Sequence, residues 1–349
     1  MYISEHIDQC LVDQVARMLV DAERIVITCH KSPDGDAIGS SLALCHLLAL
    51  LGKEARIVTP DRPPRSLRSL PGVHDIIPYT QKHDLASQLF SDADLIFCLD
   101  FNSVYRVDRM SDLLRSAKAP KIMVDHHEQP ESFTAVTISH PEMSSTCVLL
   151  YHLICQLGYG DMIDRNIATC IYTGMMTDTG NFSYNSNEPE LYLIIARLLS
   201  TGINKDEIYK QVMNTKKESV LKLISFALAE RMTVFPDLHT AFIKMTRSDL
   251  ARYDYEAGDD ESLVNQPLSI EGILYSVYMR EDPHQVKVST RSTGNFRADL
   301  ICQNFYHGGG HVNAAGGELK CSLSEAEAVF ESTMPTIKEY IKENYRHYK

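Results

Sequence analysis

The sequence predicts an α/β protein with an N-terminal doubly wound parallel sheet, a helical connector and a smaller α+β C-terminal domain. Three observations carry that prediction. Over the first 150 residues, short apolar runs alternate with helix-period stretches, the pattern of βαβ units. Between residues 144 and 213 the strand signal disappears and helical patterning dominates. Near Arg231 strand-like runs return as MTVF, HTAFIKM, ILYSVYMR and QVKVST.

RIVITC (24–29) reads as a buried strand, residues 36–51 as a helix closed by Gly52, and EARIVT (54–59) as the next strand. LIFCL (95–99) and KIMV (121–124) repeat the strand pattern. In the helical stretch 167–178, Ile167, Ile171, Gly174 and Asp178 fall on one face, with Asp178 near the C-terminal end. The acidic segment YDYEAGDDESLVNQP (253–267) reads as a solvated loop, and 298–305 as a helix. Domain boundaries follow at 1–187, 188–230 for the connector, and 231–349.

A chain of 349 residues with 44% apolar and 23% charged residues has room for about two domains and a real core. Its net charge of −12 argues against a surface that grips long nucleic acid. The nine cysteines form no C-x-x-C pair and sit mostly in apolar runs, as reduced core thiols do. Neither a signal peptide nor an apolar stretch of about 18 residues is present, so the expected location is cytoplasmic, away from membranes.

Three predicted strands end in carboxylates or imidazoles. RIVITC runs into His30, Asp34 and Asp36, LIFCL into Asp100, and KIMV into Asp125, His126 and His127. Open α/β sheets bind ligands outside the carboxyl ends of their strands, which would bring these tips into one crevice. Taken singly, Asp34 and Asp36 also fit a turn that caps a helix, and His126-His127 a surface pair. Asp178, on a buried stripe at a helix C-terminus, needs a cation, either a metal ion or a Lys or Arg partner. His30, Asp34, Asp36, Asp100, His126 and Asp178 mix imidazoles with carboxylates and no thiolate, which suits manganese or a related divalent ion. Six donors are too many for one ion and suit two ions roughly 3.5–4 Å apart, the arrangement used in phosphoester hydrolysis.

The segment HGGGHVNAAGG (307–317) matches neither the dinucleotide fingerprint nor the P-loop. Its glycines would let backbone N–H groups approach a phosphate, with His311 as a side-chain donor; a flexible linker is the other reading. Arg291, ending QVKVST, fits a phosphate clamp or a surface arginine.

These blocks, His30-x-x-x-Asp34-x-Asp36, Asp100, Asp125-His126-His127, Asp178 and Gly308-Gly309-Gly310-His311, run in order along essentially the whole chain. In them the sequence resembles the DHH phosphoesterase family with its DHH-associated C-terminal domain, most of all the small bacterial oligoribonuclease and 3′-phosphoadenosine 5′-phosphate phosphatase type. RecJ exonucleases are longer, and family II pyrophosphatases have a different C-terminal domain. The resemblance implies a metal-binding catalytic domain at 1–187, a substrate-binding domain at 231–349 and an active site in the cleft between them. It implies that His30, Asp34 and Asp100 hold one manganese ion and Asp36, Asp100, His126 and Asp178 the other, with Asp100 bridging. Asp125 and His127 would either support the metal ligands beside them or serve as proton-transfer residues. Arg291, Gly308, Gly309, Gly310 and His311 would clamp a substrate phosphate or nucleotide, and Asn102 and Arg106 would reach a phosphate. The activity implied is two-metal hydrolysis, through a bridging hydroxide, of RNA of about 2–5 nucleotides and of 3′-phosphoadenosine 5′-phosphate, by a homodimer. Cyclic di-AMP or pApA hydrolysis is the alternative, and a non-catalytic nucleotide sensor the alternative from another class.

Overall fold

The computed structural model describes residues 5–256, 258–260 and 262–344, and the chain divides into two compact units at Thr215/Lys216. The first contains β1 (Arg24–Thr28), β2 (Glu54–Thr59), β3 (Ile77–Pro78), β4 (Leu95–Leu99), β5 (Lys121–Asp125) and β6 (Val136–Ser139). All neighbours in this sheet are parallel, in the order β3-β2-β1-β4-β5-β6. β1, β4 and β5 are buried along nearly their whole length, which is why they read as unbroken apolar runs. Sequence patterning missed β3 and β6. The former is two residues long and ends in a proline; the latter alternates buried and half-buried residues over only four positions.

Its helices are α1 (Gln9–Asp21), α2 (Gly35–Leu50), α3 (His83–Asp92), α4 (Ser111–Ser116), α5 (Thr146–Gln156), α6 (Arg165–Asp178), α7 (Pro189–Ser200) and α8 (Lys205–Met213). α2 is buried on almost every side of its first ten residues, and glycines set its closeness to α6. A Cβ at Gly39 would stand 2.6 Å from the Cys170 carbonyl oxygen, and one at Gly174 would stand 2.2 Å from Cys147 Sγ and 2.7 Å from an Asp36 carboxylate oxygen. α7 and α8 bury Leu191, Ile194, Leu198, Ile208 and Val212 in the core of this unit.

The second unit holds α9 (Glu218–Phe226), β7 (Met232–Phe235), β8 (Thr240–Met245), α10 (Arg247–Arg252), β9 (Tyr275–Glu281), β10 (Val286–Ser292), α11 (Ala298–Phe305), β11 (Gly309–His311), β12 (Ala314–Leu319) and α12 (Leu323–Asn344). Its sheet runs β11-β12-β10-β9-β8-β7, antiparallel except between β8 and β9. Phe242, Tyr275, Phe296 and Phe330 form one core of this unit, and Leu223, Ile243, Met245 and Tyr278 another. The stretch 188–230, expected as a connector, thus divides: α7 and α8 join the first core, and α9 the second.

One expectation for this unit is corrected. The acidic segment 253–267 is not simply solvated: Asp260 is 5% exposed and accepts from Arg280 Nη1 at 2.8 Å, Tyr278 Oη at 2.8 Å and Tyr255 Oη at 2.9 Å. The pairing lets a carboxylate sit in the core, so composition alone misreads it. Of the two readings of the glycine run, the loose linker is set aside, since Gly309–His311 is a strand paired with β12. Its glycines, with those that follow, admit close backbone approach: a Cβ at Gly308 would lie 1.8 Å from the Gly316 carbonyl oxygen, and one at Gly317 would lie 2.0 Å from that of Tyr306. Among the described residues, no helix is long and apolar enough to cross a membrane.

Candidate active site

The parallel sheet reverses its winding between β1 and β4, and the chemistry gathers at that point. His30 follows β1, Asp100 follows β4, and Asp125 is the last residue of β5. Asp34 caps α2, its carboxylate accepting from the N–H groups of Asp36 and Ala37 at 3.0 Å each. Asp36, one turn-position further on, is 1% exposed. Its two oxygens accept from Thr146 N at 2.6 Å and Cys147 N at 2.9 Å, the opening N–H groups of α5. A helix N-terminus thus receives a buried anion. Asp178 ends α6, so its helix C-terminus supplies no such help.

These side chains converge. His30 Nε2 lies 3.4 Å from Asp100 Oδ2 and 3.8 Å from Asp34 Oδ2. His126 Nε2 lies 3.4 Å from Asp178 Oδ2, 3.6 Å from Asp100 Oδ1 and 3.9 Å from Asp36 Oδ2. Asp100 therefore turns one oxygen to each histidine. Its own backbone is in the left-handed region at φ 62°, a conformation costing of order 1 kcal/mol for a residue with a side chain. It is held there by its N–H bonded to the Val124 carbonyl at 3.1 Å and by Thr146 Oγ1 donating to Oδ1 at 3.0 Å.

The electrostatics show carboxylates crowded beyond what the imidazoles neutralise. Burial, reinforced by Asp100 and Asp178, pushes the Asp36 carboxyl well above the usual range. Burial also pushes Asp178 up to about 7; His126 opposes the push, while Asp34 and Asp100 add to it. For His126, burial favours the neutral ring, but Asp178, Asp100 and Asp36 outweigh it and raise the imidazole to about 9. His30 shifts upward for the same reason, with burial outweighed by Asp100 and Asp34. Asp100 stays below the ordinary range because hydrogen bonding from His30 and the surrounding imidazoles outweigh its burial.

The donor set fits divalent cations. His30, Asp34 and Asp100 each present a ligand atom, all within 4.8 Å of one another, and Asp36, His126 and Asp178 do the same. His30 Nδ1 lies 2.8 Å from the Lys31 carbonyl oxygen and His126 Nδ1 lies 3.0 Å from that of Met143. Such bonds fix the proton on Nδ1 and turn Nε2, the coordinating nitrogen, toward the carboxylates. Where the raised basicity of His126 holds a second proton, a metal ion could take the same place.

Around these donors stand the other expected residues. Asp125, fully buried, accepts from His127 N at 3.1 Å and lies 2.7 Å from His127 Nδ1, so the carboxylate orients the imidazole. Arg106 Nη2 is 3.5 Å from His127 Nε2, and its buried Nε makes no hydrogen bond. Asn102 donates from its amide to the Glu128 carbonyl at 2.6 Å. Sequence reasoning missed Thr146 and Cys147, which hold Asp36 and Asp100. Ser145, the cap of α5, was the visible signal of a helix start, but not of the carboxylates it would receive.

In the second unit, Ala314 of β12 is flanked by His311 of β11 and Arg291 of β10. Residues level with each other in a sheet point to the same face, so His311 and Arg291 share a face across the small Ala314, their strands roughly 10 Å apart. Arg291 Nη1 donates to the Thr290 carbonyl at 2.9 Å. Gly308, Gly309 and Gly310 lead into this row.

Comparison with known proteins agrees with both units. Residues 24–175 match the DHH family, N-terminal domain, and residues 240–343 match the DHHA1 domain. A relative from Thermus thermophilus, named bifunctional oligoribonuclease and PAP phosphatase NrnA, is 34% identical over 85% of this chain and 84% of its own. The crystal structure of an exopolyphosphatase-related protein from Bacteroides fragilis superposes with a TM-score of 0.92 at 45% identity, covering 97% of this chain and 99% of that one. The cyclic-di-AMP phosphodiesterase GdpP of Geobacillus thermodenitrificans is 24% identical over 89% of this chain, which spans 47% of that longer protein.

Proposed function

The chain belongs to the DHH family, and from that premise we propose that it hydrolyses RNA of two to five nucleotides to mononucleotides and 3′-phosphoadenosine 5′-phosphate to AMP. It is a hydrolase of phosphoester bonds. The observation that carries the reading is the division of Asp100, one oxygen toward His30 and the other toward His126, between two sets of donors. Two manganese ions bound there would supply Lewis acidity and an activated water nucleophile.

The protein's own residues do the rest. His30, Asp34 and Asp100 form one cradle, and Asp36, Asp100, His126 and Asp178 the other. Asp125 fixes the tautomer and angle of His127, so that Nε2, beside Arg106, is the nitrogen that would exchange a proton with the reacting group. Arg106, with its buried, unsatisfied Nε and a terminal nitrogen beside His127, offers charge-assisted bonds to a phosphate oxygen. Arg291 and His311 bind the substrate's other phosphate, and the net charge of −12 disfavours long nucleic acid, which limits substrates to short ones. We place the enzyme in the cytoplasm as a homodimer.

The test compares release of mononucleotides from RNA dimers to pentamers, turnover of 3′-phosphoadenosine 5′-phosphate, and turnover of cyclic di-AMP and pApA, all with manganese. Faster turnover of the short RNAs and of 3′-phosphoadenosine 5′-phosphate supports the proposal. Preference for cyclic di-AMP replaces it with the second reading, which the similarity to GdpP favours. Tight binding without product turns it into a sensor.

A further inference from the structure

A second group of metal-ligand side chains lies in the first unit, outside the strand-tip site. His6, before α1, His152, in α5, and Glu190, in the first turn of α7, each offer one ligand atom, and the three atoms lie within 4.8 Å of one another. His6 Nε2 is 2.5 Å from Glu190 Oε2, and the rings of His6 and His152 meet edge to face at 4.5 Å between centroids. An ion pair between His6 and Glu190 accounts for two of these residues. His152, 1% exposed and on a third segment, brings a second imidazole up to that pair.

The position of His6 is fixed by its neighbour. Gln156 clamps the backbone of Ile7 from both sides, its Oε1 accepting from Ile7 N at 3.1 Å and its Nε2 donating to the Ile7 carbonyl at 2.8 Å. Ile7 itself is buried in the core. The side chains of His6 and Glu190 remain 32% and 21% exposed, so the site has a face open to solvent.

We propose that His6, His152 and Glu190 form a zinc site that fastens the N-terminal segment to α5 and α7. Two imidazoles, one carboxylate and an open fourth position make a set that zinc takes readily. Tetrahedral ligation at roughly 2.0–2.1 Å puts ligand atoms about 3.3 Å apart, so His6 and Glu190 need to part by less than about 1 Å. His152 lies six residues, roughly 9 Å along the helix axis, from Thr146, whose N–H holds Asp36, so the clip braces the helix that supports the catalytic carboxylates.

The experiment titrates zinc into manganese-saturated wild-type protein and into His6→Gln and Glu190→Gln, reading affinity, stoichiometry and thermal midpoint. The strand-tip donors are the same in all three proteins, so any difference reports this site. Wild type should take up one zinc per chain more than either variant, or bind it at least roughly 10–100-fold more tightly, with a rise in midpoint that both variants lack. Cobalt should give a tetrahedral visible absorption band in wild type that both variants lose. Manganese-dependent activity should stay at the wild-type level in both variants. Equal zinc uptake, equal thermal gain and equal cobalt spectra in the three proteins would overturn the proposal.

Discussion

Both units bury carboxylates, and they solve the cost in opposite ways. In the second unit, Asp260 meets an arginine and two tyrosine hydroxyls, and its charge is matched where it stands. At the strand tips of the first, Asp36, Asp100 and Asp178 are set against one another with imidazoles between them, so that Asp36 and Asp178 hold their protons far more tightly than usual. A matched pair is architecture; an unmatched cluster stores a demand for a cation, and that demand is the binding energy of a metal site. The difference teaches that burial of charge marks function only where the partners leave it uncompensated.

The contrast breaks most visibly in activity. Asp100→Asn or His126→Ala should lower manganese-dependent hydrolysis by about 10³-fold or more while the far-UV dichroism stays native, because the donors and not the fold are removed. Near-wild-type turnover in either would remove the ligand assignment. The counterpart in the second unit, Arg280→Met, should leave chemistry intact at low temperature but destabilise that unit by about 3–5 kcal/mol, read from denaturant midpoints, because the buried Asp260 loses its cation and keeps only the two tyrosine hydroxyls. Arg291→Ala comes next: losing charge-assisted phosphate bonds, about 1.5–3 kcal/mol, should raise KM for RNA dimers by roughly 10-fold or more. An unchanged KM would confine Arg291 to the sheet.

The smallest effect concerns stability against pH. His126, raised to about 9, gives the metal-free protein stability that is full below its unfolded value of about 6.5 and is lost as pH rises through about 9. Asp178, raised to about 7, adds a loss of the same sign as pH climbs from its unfolded value near 4 toward 7, because the folded state binds the extra proton. The midpoint of the metal-free protein should therefore fall from about pH 4 to about 9, by an amount that Asp178→Asn reduces. Saturating manganese should flatten the slope, and manganese affinity should itself rise across that window as protons are released. A flat profile without metal would contradict the crowding described here.

Much of this was legible in sequence. β4 lies where its apolar run placed it, because a strand buried on both faces announces itself as an unbroken run, and β2 lies where EARIVT placed it although only its second half is buried. The His30, Asp100 and Asp125 positions followed from the rule that ligands gather at the carboxyl ends of parallel strands. Asp178 followed from its helical spacing, and the structure places it at the last residue of α6. Long-range backbone partners were not legible: nothing local to Thr146 tells that its N–H serves a carboxylate 110 residues earlier. Gly308 to Gly310 were read as letting backbone N–H groups approach a phosphate; that Gly308 and Gly310 also lie against the Gly316 and Ala314 carbonyls was not legible. Asp260 was hidden for the same reason, since its partner Arg280 lies on β9.

The central claim is that Asp100 joins two ions, and electron paramagnetic resonance of the manganese-loaded protein tests it most directly. Two manganese ions per chain should titrate into the wild-type site and give the broadened multiline spectrum of an exchange-coupled pair, collapsing toward uncoupled ions in Asp100→Asn. Saturation of the wild type at a single ion with the simple six-line spectrum of isolated manganese would contradict it.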